Sequence, residues 1–503
     1  MTASTTQANP FPVDRQCIRT RKNSCERHVR KSLSKVDRKE RFVIFQQCKV
    51  EGLGCYSYLI GCPGAGTACV VDPERHVTRY LTAAQEHGVA ITHIFDTHLH
   101  ADHITGSAEL AARTGAAIHV HPAVEAEYAH DTVADGQTFR FGAAELEVLE
   151  TPGHTPNSFT LAVTDHGRSD EAFALLTGDL LFVGDIGRPD LAGDDLLEQQ
   201  VKNLYNSLYG KLARFPDWTE VYPAHGEGSL CGRGMSAKPM TTLGFERRNN
   251  PLLNNMEFDT FHEVMTANFQ VRPPNFMAMV NKNRKGPQLL ADAAPFTDLS
   301  TMQVEEAVQN GARLVDTRAP SAFGAAFIPG SLNIGMTPSS VNWLGMIVDA
   351  EEDIILIADS ADLAQQAAFL FRRAGYDRLI GYLGDGVSGW AMQGRDLDHL
   401  PLLTPASLQH VLDKYADHIV LDVRTESERE DGAAIEGSVH LPVAELVEEG
   451  VEFEKQRHIT TVCNSGYRSN IAGSILKSAG YTHVFSLIGG MTAWKAAGKT
   501  VVP

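Results

Sequence analysis

The sequence predicts a multidomain α/β protein, in which one large domain is followed by two smaller domains related by duplication. Three observations lead to this prediction. The chain has 503 residues, enough for three domains or so at roughly 100–200 residues each. From Phe42 to about Val271, short apolar runs typical of β-strands alternate with helical stretches such as Val77–His87. After a linker-like passage rich in Pro, Gly and Lys, a pattern with a period near 105 residues occurs twice.

The two copies of the repeat share the same landmarks in the same order. The first copy contains Leu314–Arg318, Ala374–Tyr376 and Trp390, and the second contains Val420–Arg424, Ala479–Tyr481 and Trp494. Each copy alternates short apolar strands with helices, which indicates a small α/β domain with a parallel sheet. The predicted organisation is a leader at 1–41, a large domain at 42–275, a linker at 276–295, and small domains at 296–398 and 399–503.

Composition and charge exclude several classes of protein. Hydrophobic residues make up 43% and charged residues 21%, which is ordinary for globular proteins. No apolar run approaches the ~18 residues that span a bilayer, so no membrane association is expected. Eleven basic residues lie between Arg15 and Arg41, which leaves 33 basic and 58 acidic residues beyond them and a net charge of −25 there. The part of the chain beyond residue 41 is so acidic that we expect it to bind nucleic acid poorly.

The leader and the cysteine content give the expected compartment. Residues 1–41 show little apolar periodicity and contain four acidic residues, so we predict a disordered tail and not an organelle transit peptide. Eight cysteines in the chain are too few for a disulfide scaffold. A secretory apolar segment is also missing, and a reducing cytoplasm is therefore the expected location.

The densest group of chemically active side chains is the segment Thr97–His103, which reads THLHADH and follows the apolar run Ile91–Phe95. Three histidines and one aspartate just beyond a strand can converge on one point. His154, Asp179 and His225 lie further along the chain, each beside Gly or Pro in a turn. Imidazole and carboxylate ligands suit Zn, Fe or Mn. The ligand types alone leave the number of metal ions open.

This pattern of H-x-H-x-D-H with a later His, Asp and His resembles the metallo-β-lactamase superfamily, which implies an αββα sandwich over about residues 42–275. The neighbouring segments Thr97–Ser107 and Thr177–Leu191 are similar to the persulfide dioxygenase branch. That resemblance implies one Fe(II) per chain, held by His98, His154 and Asp179. The same resemblance places four further residues around this triad: His100, Asp102, His103 and His225. Three ligands on one face leave positions for a persulfide sulfur and O₂, and zinc lacks the redox chemistry to oxidise sulfur.

Other residues near these motifs have two interpretations each. Arg188 either holds the anionic part of a thiol carrier or forms a surface salt bridge. Cys231 lies in a glycine-rich loop, where Arg233 is expected to lower the pKa of its thiol. It either carries persulfide sulfur or is an ordinary buried thiol. Three further cysteines, namely Cys55, Cys62 and Cys69, recur every seven residues without a CxxC pair, and we interpret them as strand or turn residues.

The second small domain contains a cysteine at the end of the predicted strand Ile459–Val462. Cys463 begins the segment CNSGYR, and a helix is predicted from Ser469 to Ser478. Backbone N–H groups and the helix N-terminus favour a thiolate at this position, and Arg468 adds a permanent positive charge. The loop resembles the active loop of rhodaneses, and its six-residue length is that of the sulfurtransferases. The resemblance implies catalytic roles for Cys463 and Arg468, with Ser465 in substrate binding.

The first small domain lacks both catalytic groups. Alignment on the Ala-Gly-Tyr landmark places Ala358 at the position of Cys463 and Leu363 at the position of Arg468. We therefore predict an inactive rhodanese-like domain, used as a spacer or as a contact in a homo-oligomer.

The order of the three segments is similar to that of bacterial persulfide dioxygenase–rhodanese fusions. The implied reaction oxidises a persulfide of glutathione, coenzyme A or a similar small thiol with O₂, giving sulfite. Cys463 then transfers a sulfane sulfur to sulfite to give thiosulfate. Two alternatives remain open. One is a glyoxalase II-like thioester hydrolase with two metals, zinc in place of iron, held by all seven residues. The other is a non-catalytic persulfide carrier or sensor that uses Cys463 alone.

Overall fold

A computed structural model describes residues 43–50, 54–229, 231–254, 257–267, 276–430 and 433–502. The predicted leader, residues 1–41, lies outside the described residues. Among those that are described, we find no helix with both the length and the apolar character needed to cross a bilayer.

The first domain contains twelve strands in the described part of the chain. These are β1 (Ile44–Val50), β2 (Cys55–Cys62), β3 (Thr67–Val71), β4 (Ala90–Phe95), β5 (Ala117–Val120), β6 (Asp131–Thr132), β7 (Thr138–Phe141), β8 (Ala144–Glu150), β9 (Phe159–Asp165), β10 (Ala172–Gly178), β11 (Glu220–Pro223) and β12 (Thr241–Thr242). Its α-helices are α1 (Thr78–His87), α2 (Ser107–Thr114), α3 (Leu197–Asn206), α4 (Leu243–Asn249) and α5 (Phe258–Thr266).

The strands form two six-stranded sheets that pack face to face. One sheet has the order β1-β2-β3-β4-β5-β6 and the other has the order β12-β11-β10-β9-β8-β7. Along β2, Tyr58 and Ile60 point into the core between the sheets, whereas Leu59 points outward into the core shared with α1 and α2, because successive side chains alternate across a strand. On the other side, Leu204 of α3 and Phe261 of α5 cover the second sheet. The predicted αββα sandwich is confirmed.

The segment predicted as a linker, 276–295, differs from that prediction because it begins with a helix, α6 (Phe276–Lys285). Phe276 and Met279 are buried one turn apart, and Met279 packs in a core that also contains Ile104 and Phe371. In the sequence, the lysines of this segment obscure the pattern of apolar residues. The apolar stripe that stabilises the helix is therefore not recognised from the sequence.

The two small domains have the same topology, which confirms the internal duplication and the parallel sheets. The first contains β13 (Asp298–Leu299), α7 (Thr301–Gln309), β14 (Arg313–Asp316), α8 (Pro320–Ala325), β15 (Leu332–Asn333), α9 (Ser340–Ile347), β16 (Ile354–Ile357), α10 (Ala361–Arg373), β17 (Leu379–Leu383) and α11 (Gly386–Met392). The second contains β18 (Leu402–Leu403), α12 (Pro405–Lys414), β19 (Ile419–Asp422), α13 (Glu426–Glu430), β20 (Val439–His440), α14 (Val443–Glu449), β21 (His458–Val462), α15 (Tyr467–Ser478), β22 (His483–Leu487) and α16 (Gly490–Ala496). The strand orders are β13-β17-β16-β14-β15 and β18-β22-β21-β19-β20.

The first small domain contacts both of its neighbours. Toward the large domain, the backbone amide of Ile104 donates to the carbonyl of Arg373 at 2.7 Å, and the Arg373 side chain pairs with Glu74 at 2.5 Å. Toward the second small domain, the Asn470 side-chain amide donates to Asn333 Oδ1 at 2.6 Å. The first small domain therefore lies against the loop that follows His103 and against the helix that follows Cys463.

Candidate functional site

The candidate metal ligands lie in loops that leave the strands of both sheets. The H-x-H-x-D-H segment follows β4, His154 lies between β8 and β9, Asp179 follows β10 and His225 follows β11. Side chains that leave the ends of facing sheets can meet at one edge of the sandwich. The structure brings all seven of the predicted residues into this region.

Three of them form a compact group. The ligand atoms of His98, His154 and Asp179 lie within 4.8 Å of one another, and all three residues are buried. Asp179 Oδ2 lies 3.6 Å from His98 Nε2 and 3.4 Å from His154 Nε2. Within the described residues, this buried oxygen has no hydrogen-bond partner. A buried carboxylate oxygen faced by two imidazole nitrogens fits a bound cation, because a cation would satisfy all three groups.

Neighbouring groups hold both imidazoles in the tautomer that a metal requires. His154 Nδ1 donates to the backbone carbonyl of Arg188 at 3.0 Å. His98 Nδ1 lies 3.0 Å from Thr97 Oγ1, and that hydroxyl donates its own proton to Asp72 Oδ2 at 2.8 Å, so it accepts from His98. Each Nε2 is therefore left with a free lone pair. Burial lowers the pKa of both histidines, which keeps them neutral.

His225 lies beside the triad and fixes the orientation of its carboxylate. Its Nδ1 lies 2.6 Å from Asp179 Oδ1, and its Nε2 lies 2.8 Å from Asp102 Oδ2. Against the effect of burial, these two carboxylates raise the pKa of His225, and His225 in turn helps to keep the pKa of Asp179 below its usual range. Asp179 thus directs Oδ1 to His225 and Oδ2 to the other two histidines.

A second group of potential ligands lies next to the first and includes a residue that sequence reasoning assigned to ordinary strand structure. Cys55, Asp102, His103 and His225 also place ligand atoms within 4.8 Å of one another. Cys55 Sγ lies 3.7 Å from Asp102 Oδ2 and 3.8 Å from His103 Nδ1. Cys55 belongs to a strand, as predicted. Its separation from Asp102 along the sequence did not predict that the two side chains are in contact.

His100 lies beside the triad, with its ring centroid 4.2 Å from that of His98, but it is not part of the compact group of three. Its Nε2 lies 3.3 Å from Asp72 Oδ1, to which it donates, and its buried Nδ1 has no partner in the described part of the chain. It groups with Asp72 and Asp96 and not with His98.

Asn283 is a further residue that sequence reasoning missed at this site. Its side-chain amide donates to the carbonyls of His100 and His103 at 2.9 and 2.8 Å. Its Oδ1 accepts from the amide of Thr105 at 3.0 Å. One buried side chain from α6 therefore holds the backbone of the histidine-rich loop at three points.

Two predicted substrate-binding residues have different surroundings from those expected. Arg188 is 1% exposed and its guanidinium pairs with the equally buried Asp190, with Nη2 at 2.7 Å from Oδ2, so this salt bridge is buried and does not lie at the surface. Cys231 is buried near Asp179 and His225. Burial raises the pKa of its thiol, and the expectation that Arg233 lowers it is wrong, because that guanidinium points to the carbonyl of Val264 at 3.1 Å.

The cysteine loop of the second small domain has the strand–loop–helix geometry that was predicted, and its helix begins at Tyr467. Cys463 is buried, and its Sγ accepts a hydrogen bond from the backbone amide of Gly466 at 3.1 Å. Arg468 also interacts with the Cys463 thiol. Ser465 lies exposed in the loop. The Tyr467 hydroxyl donates to the carbonyl of Gly335 in the first small domain at 2.8 Å.

The strand pairing of the first small domain matches the alignment of the two repeats. Asp316 pairs with Ile357 in the first domain, and Asp422 pairs with Val462 in the second. The next residues along the paired strands are Ala358 and Cys463, so an alanine occupies the position of the cysteine.

Comparison with known proteins identifies the domains. The metallo-beta-lactamase superfamily model matches residues 50–225, and the rhodanese-like domain model matches residues 298–393 and 404–497. The human protein named persulfide dioxygenase ETHE1, mitochondrial, is 30% identical over 43% of this chain and 78% of its own length. The chain belongs to the metallo-beta-lactamase superfamily. In this superfamily member, a metallo-beta-lactamase domain is followed by two rhodanese-like domains.

Other relatives of this superfamily member have a different name. Hydroxyacylglutathione hydrolase from Polaromonas sp. is 37% identical over 34% of this chain, and the match spans 61% of that protein's length. A solved metallo-beta-lactamase structure from Staphylococcus aureus subsp. aureus COL has a TM-score of 0.61 and 29% identity, and it covers 68% of this chain and 98% of its own. The superfamily is thus established, whereas its members carry more than one activity.

Proposed function

We propose that the chain is a persulfide dioxygenase joined to a sulfurtransferase. The observation that carries this proposal is the group formed by His98, His154 and Asp179, two neutral imidazoles and one carboxylate with an unpaired buried oxygen. A ferrous ion held by these side chains would supply the redox chemistry that oxidation of a persulfide sulfur by O₂ requires.

The chain's own residues prepare this site. Thr97 and the carbonyl of Arg188 hold the Nδ1 protons of the two histidines and so keep both Nε2 atoms available. His225 occupies Asp179 Oδ1 and leaves the other carboxylate oxygen to the ion. The surrounding residues are buried, which keeps water from competing for the site. These groups orient one carboxylate and two imidazoles, so that three side chains would hold a ferrous ion, which would be free to bind substrate and O₂ as well.

Cys463 carries the second half of the proposed reaction. Its thiolate attacks the outer sulfur of a persulfide, the S–S bond of the substrate breaks, and the small thiol leaves as a thiolate while Cys463 becomes a persulfide. Sulfite then attacks that outer sulfur, so that thiosulfate leaves and the Cys463 thiolate is restored. The Gly466 amide and Arg468 stabilise the negative charge on sulfur in both forms.

A thioester hydrolase of the glyoxalase II type is the second candidate. It is favoured by the adjacent group of Cys55, Asp102, His103 and His225, which offers ligands for a second ion. The buried Nδ1 of His100, which has no partner among the residues that the structure describes, is a further potential ligand atom that the single-ion proposal leaves unused. Relatives named as hydroxyacylglutathione hydrolases support this reading of the same fold.

Metal content and substrate tests separate the two candidates. The purified chain is assayed for bound metal, for O₂ uptake with glutathione persulfide and with coenzyme A persulfide, and for cleavage of S-lactoylglutathione. We expect about one iron per chain, O₂ uptake and no thioester cleavage. Two zinc ions with thioester cleavage would favour the hydrolase instead. A chain that neither consumes O₂ nor cleaves the thioester, yet forms a persulfide on Cys463, would be a carrier.

A further inference from the structure

Glu428 forms a tight ion pair with Arg468, the last residue of the cysteine loop Cys463–Arg468. Arg468 Nη1 donates to Glu428 Oε2 and Nη2 donates to Oε1, both at 2.6 Å. The backbone amide and the hydroxyl of Thr425 both donate to the same Oε2 at 3.0 Å. Although burial opposes it, the hydrogen bonds from Arg468 and Thr425 lower the pKa of Glu428 to about 2. The glutamate is therefore ionised at neutral pH and opposes the charge of Arg468.

The inactive domain shows that this glutamate is not a requirement of the fold. Both small domains keep a buried Asp–Arg pair at the ends of the corresponding strands β14 and β19, Asp316 with Arg318 and Asp422 with Arg424, each at 2.6 Å. Counting six residues onward from these aspartates places Ala322 at the position of Glu428. The first small domain has the same strand order as the second. It lacks the cysteine, the arginine and the glutamate together.

We propose that Glu428 is a positioning residue that sets the charge selectivity of the cysteine loop through its fork with Arg468. The carboxylate fixes the guanidinium, which also interacts with the Cys463 thiol. At the same time the carboxylate cancels much of the positive charge that Arg468 would offer to an incoming anion. The loop consequently binds inorganic dianions such as thiosulfate and sulfate more weakly than a loop with an unpaired arginine would, and it retains the arginine for the sulfur on Cys463. This inference rests on the sulfurtransferase activity proposed above.

Kinetics of the full-length chain test the selectivity. Thiosulfate:cyanide sulfurtransfer is measured at constant ionic strength for the wild type and for the variants Glu428→Gln, Glu428→Asp and Glu426→Gln. In Glu428→Gln we expect the KM for thiosulfate to fall about tenfold, while kcat changes by less than about threefold, because one negative charge near the anion is lost. Glu428→Asp keeps the charge, so its KM should stay close to that of the wild type. Glu426 is exposed on the same helix, so Glu426→Gln controls for a change in overall charge.

A second measurement does not depend on turnover. Iodoacetamide alkylation of Cys463 is followed by peptide mass spectrometry while sulfate, a dianion without sulfane sulfur, is added as a protecting ligand. In Glu428→Gln, half-protection should need about tenfold less sulfate than in the wild type. An unchanged sulfate requirement, or the same change in Glu426→Gln, would overturn the inference. A fall in kcat with unchanged KM would also overturn it, since that result describes a purely structural glutamate.

The two proposals fail in different ways. If the wild type shows no sulfurtransfer, the proposed sulfurtransferase function fails, and the sulfate protection experiment still decides the role of Glu428. If the wild type is active and Glu428→Gln retains the wild-type KM and sulfate requirement, only the inference about Glu428 fails.

Discussion

The side-chain amide of Asn283 donates to the backbone carbonyl of His103 at 2.8 Å, although 180 residues separate the two. Together with the bonds to His100 and Thr105, this contact joins α6 to the loop that carries the metal-binding motif. Because the next residue in that loop, Ile104, also bonds to Arg373, the conformation of the loop depends on two elements outside the metallo-beta-lactamase match.

Asn283→Ala should therefore weaken metal binding, although it changes none of the proposed ligands. Each buried backbone group left without a partner costs about 1–3 kcal/mol, and a lost contact behind a metal ligand weakens metal affinity by about 10–100-fold. Competition with a chelator for Fe(II) or Zn(II), and thermal unfolding of the metal-free protein, measure the two effects. Asn281→Ala, at an exposed position of the same helix, is the matched control. Wild-type affinity and stability in Asn283→Ala would show that the three bonds are dispensable.

The parts of the molecule that the sequence predicted well are those with dense or repeated signals. The histidine-rich motif and the duplicated Asp–x–Arg landmarks can each be recognised from a few consecutive residues. Asn283, Cys55 and Glu428 could not be found this way, because each is a single polar residue whose partner lies far along the chain. The burial of Arg188 could not be predicted either, because the sequence pattern Arg–x–Asp is the same for an exposed and for a buried ion pair.

Asp179→Asn should abolish O₂ uptake and leave sulfurtransfer by Cys463 unchanged. The substitution keeps the shape of the side chain but removes the charge that faces His98 and His154 at 3.6 and 3.4 Å. We expect metal content to fall below about a tenth of the wild-type value, because a neutral amide is a much weaker ligand than a carboxylate for such an ion. Metal analysis and an oxygen electrode give the two readouts. Asp170→Asn, at an exposed carboxylate of the same domain, is the control, and normal O₂ uptake in Asp179→Asn would contradict the triad assignment.

His76 should make the contact between the large domain and the first small domain sensitive to acid. Its ring stacks on Phe369 with the centroids 3.5 Å apart, and its Nε2 lies 3.1 Å from the Phe369 carbonyl, to which it donates. Burial lowers the pKa of His76 to about 4, and the nearby Arg373 and Arg75 act in the same direction. The folded protein thus binds fewer protons at this site than the unfolded chain, whose histidines titrate near pH ~6.5. The stabilising contribution is complete above that pH and is lost as the pH falls toward 4.

Calorimetric unfolding at pH 7.5 and pH 5.0 measures this effect. We expect the unfolding temperature to drop by about 2–4 °C between the two conditions in the wild type. His76→Gln keeps a donor for the Phe369 carbonyl but does not titrate, so its drop should be smaller. His410→Gln, an exposed histidine of the second small domain, should behave like the wild type. An equal drop in His76→Gln and the wild type would assign the acid sensitivity to other groups.

Cys463→Ser should separate the two sulfur reactions. Among the cysteines that the structure describes, only Cys463 combines the end of a parallel strand, a hydrogen bond from the Gly466 amide and a nearby Arg468, so its loss should remove the transferable sulfur. The proposed iron site has its own ligands in another domain and should continue to consume O₂. The product should then shift from thiosulfate toward sulfite, which thiol-labelling chromatography can quantify.

Cys231→Ser and Cys48→Ser complete this experiment. Cys231 lies beside Asp179 and His225, so a change there should affect O₂ uptake before it affects thiosulfate:cyanide sulfurtransfer, which depends on Cys463. Cys48 is only partly buried in β1, and its replacement should affect neither reaction. If Cys463→Ser still makes mainly thiosulfate at the wild-type rate, sulfur must travel through another thiol. A double variant, Cys463→Ser with Cys231→Ser, would then identify that thiol, because sulfite would accumulate only when Cys231 is the alternative carrier.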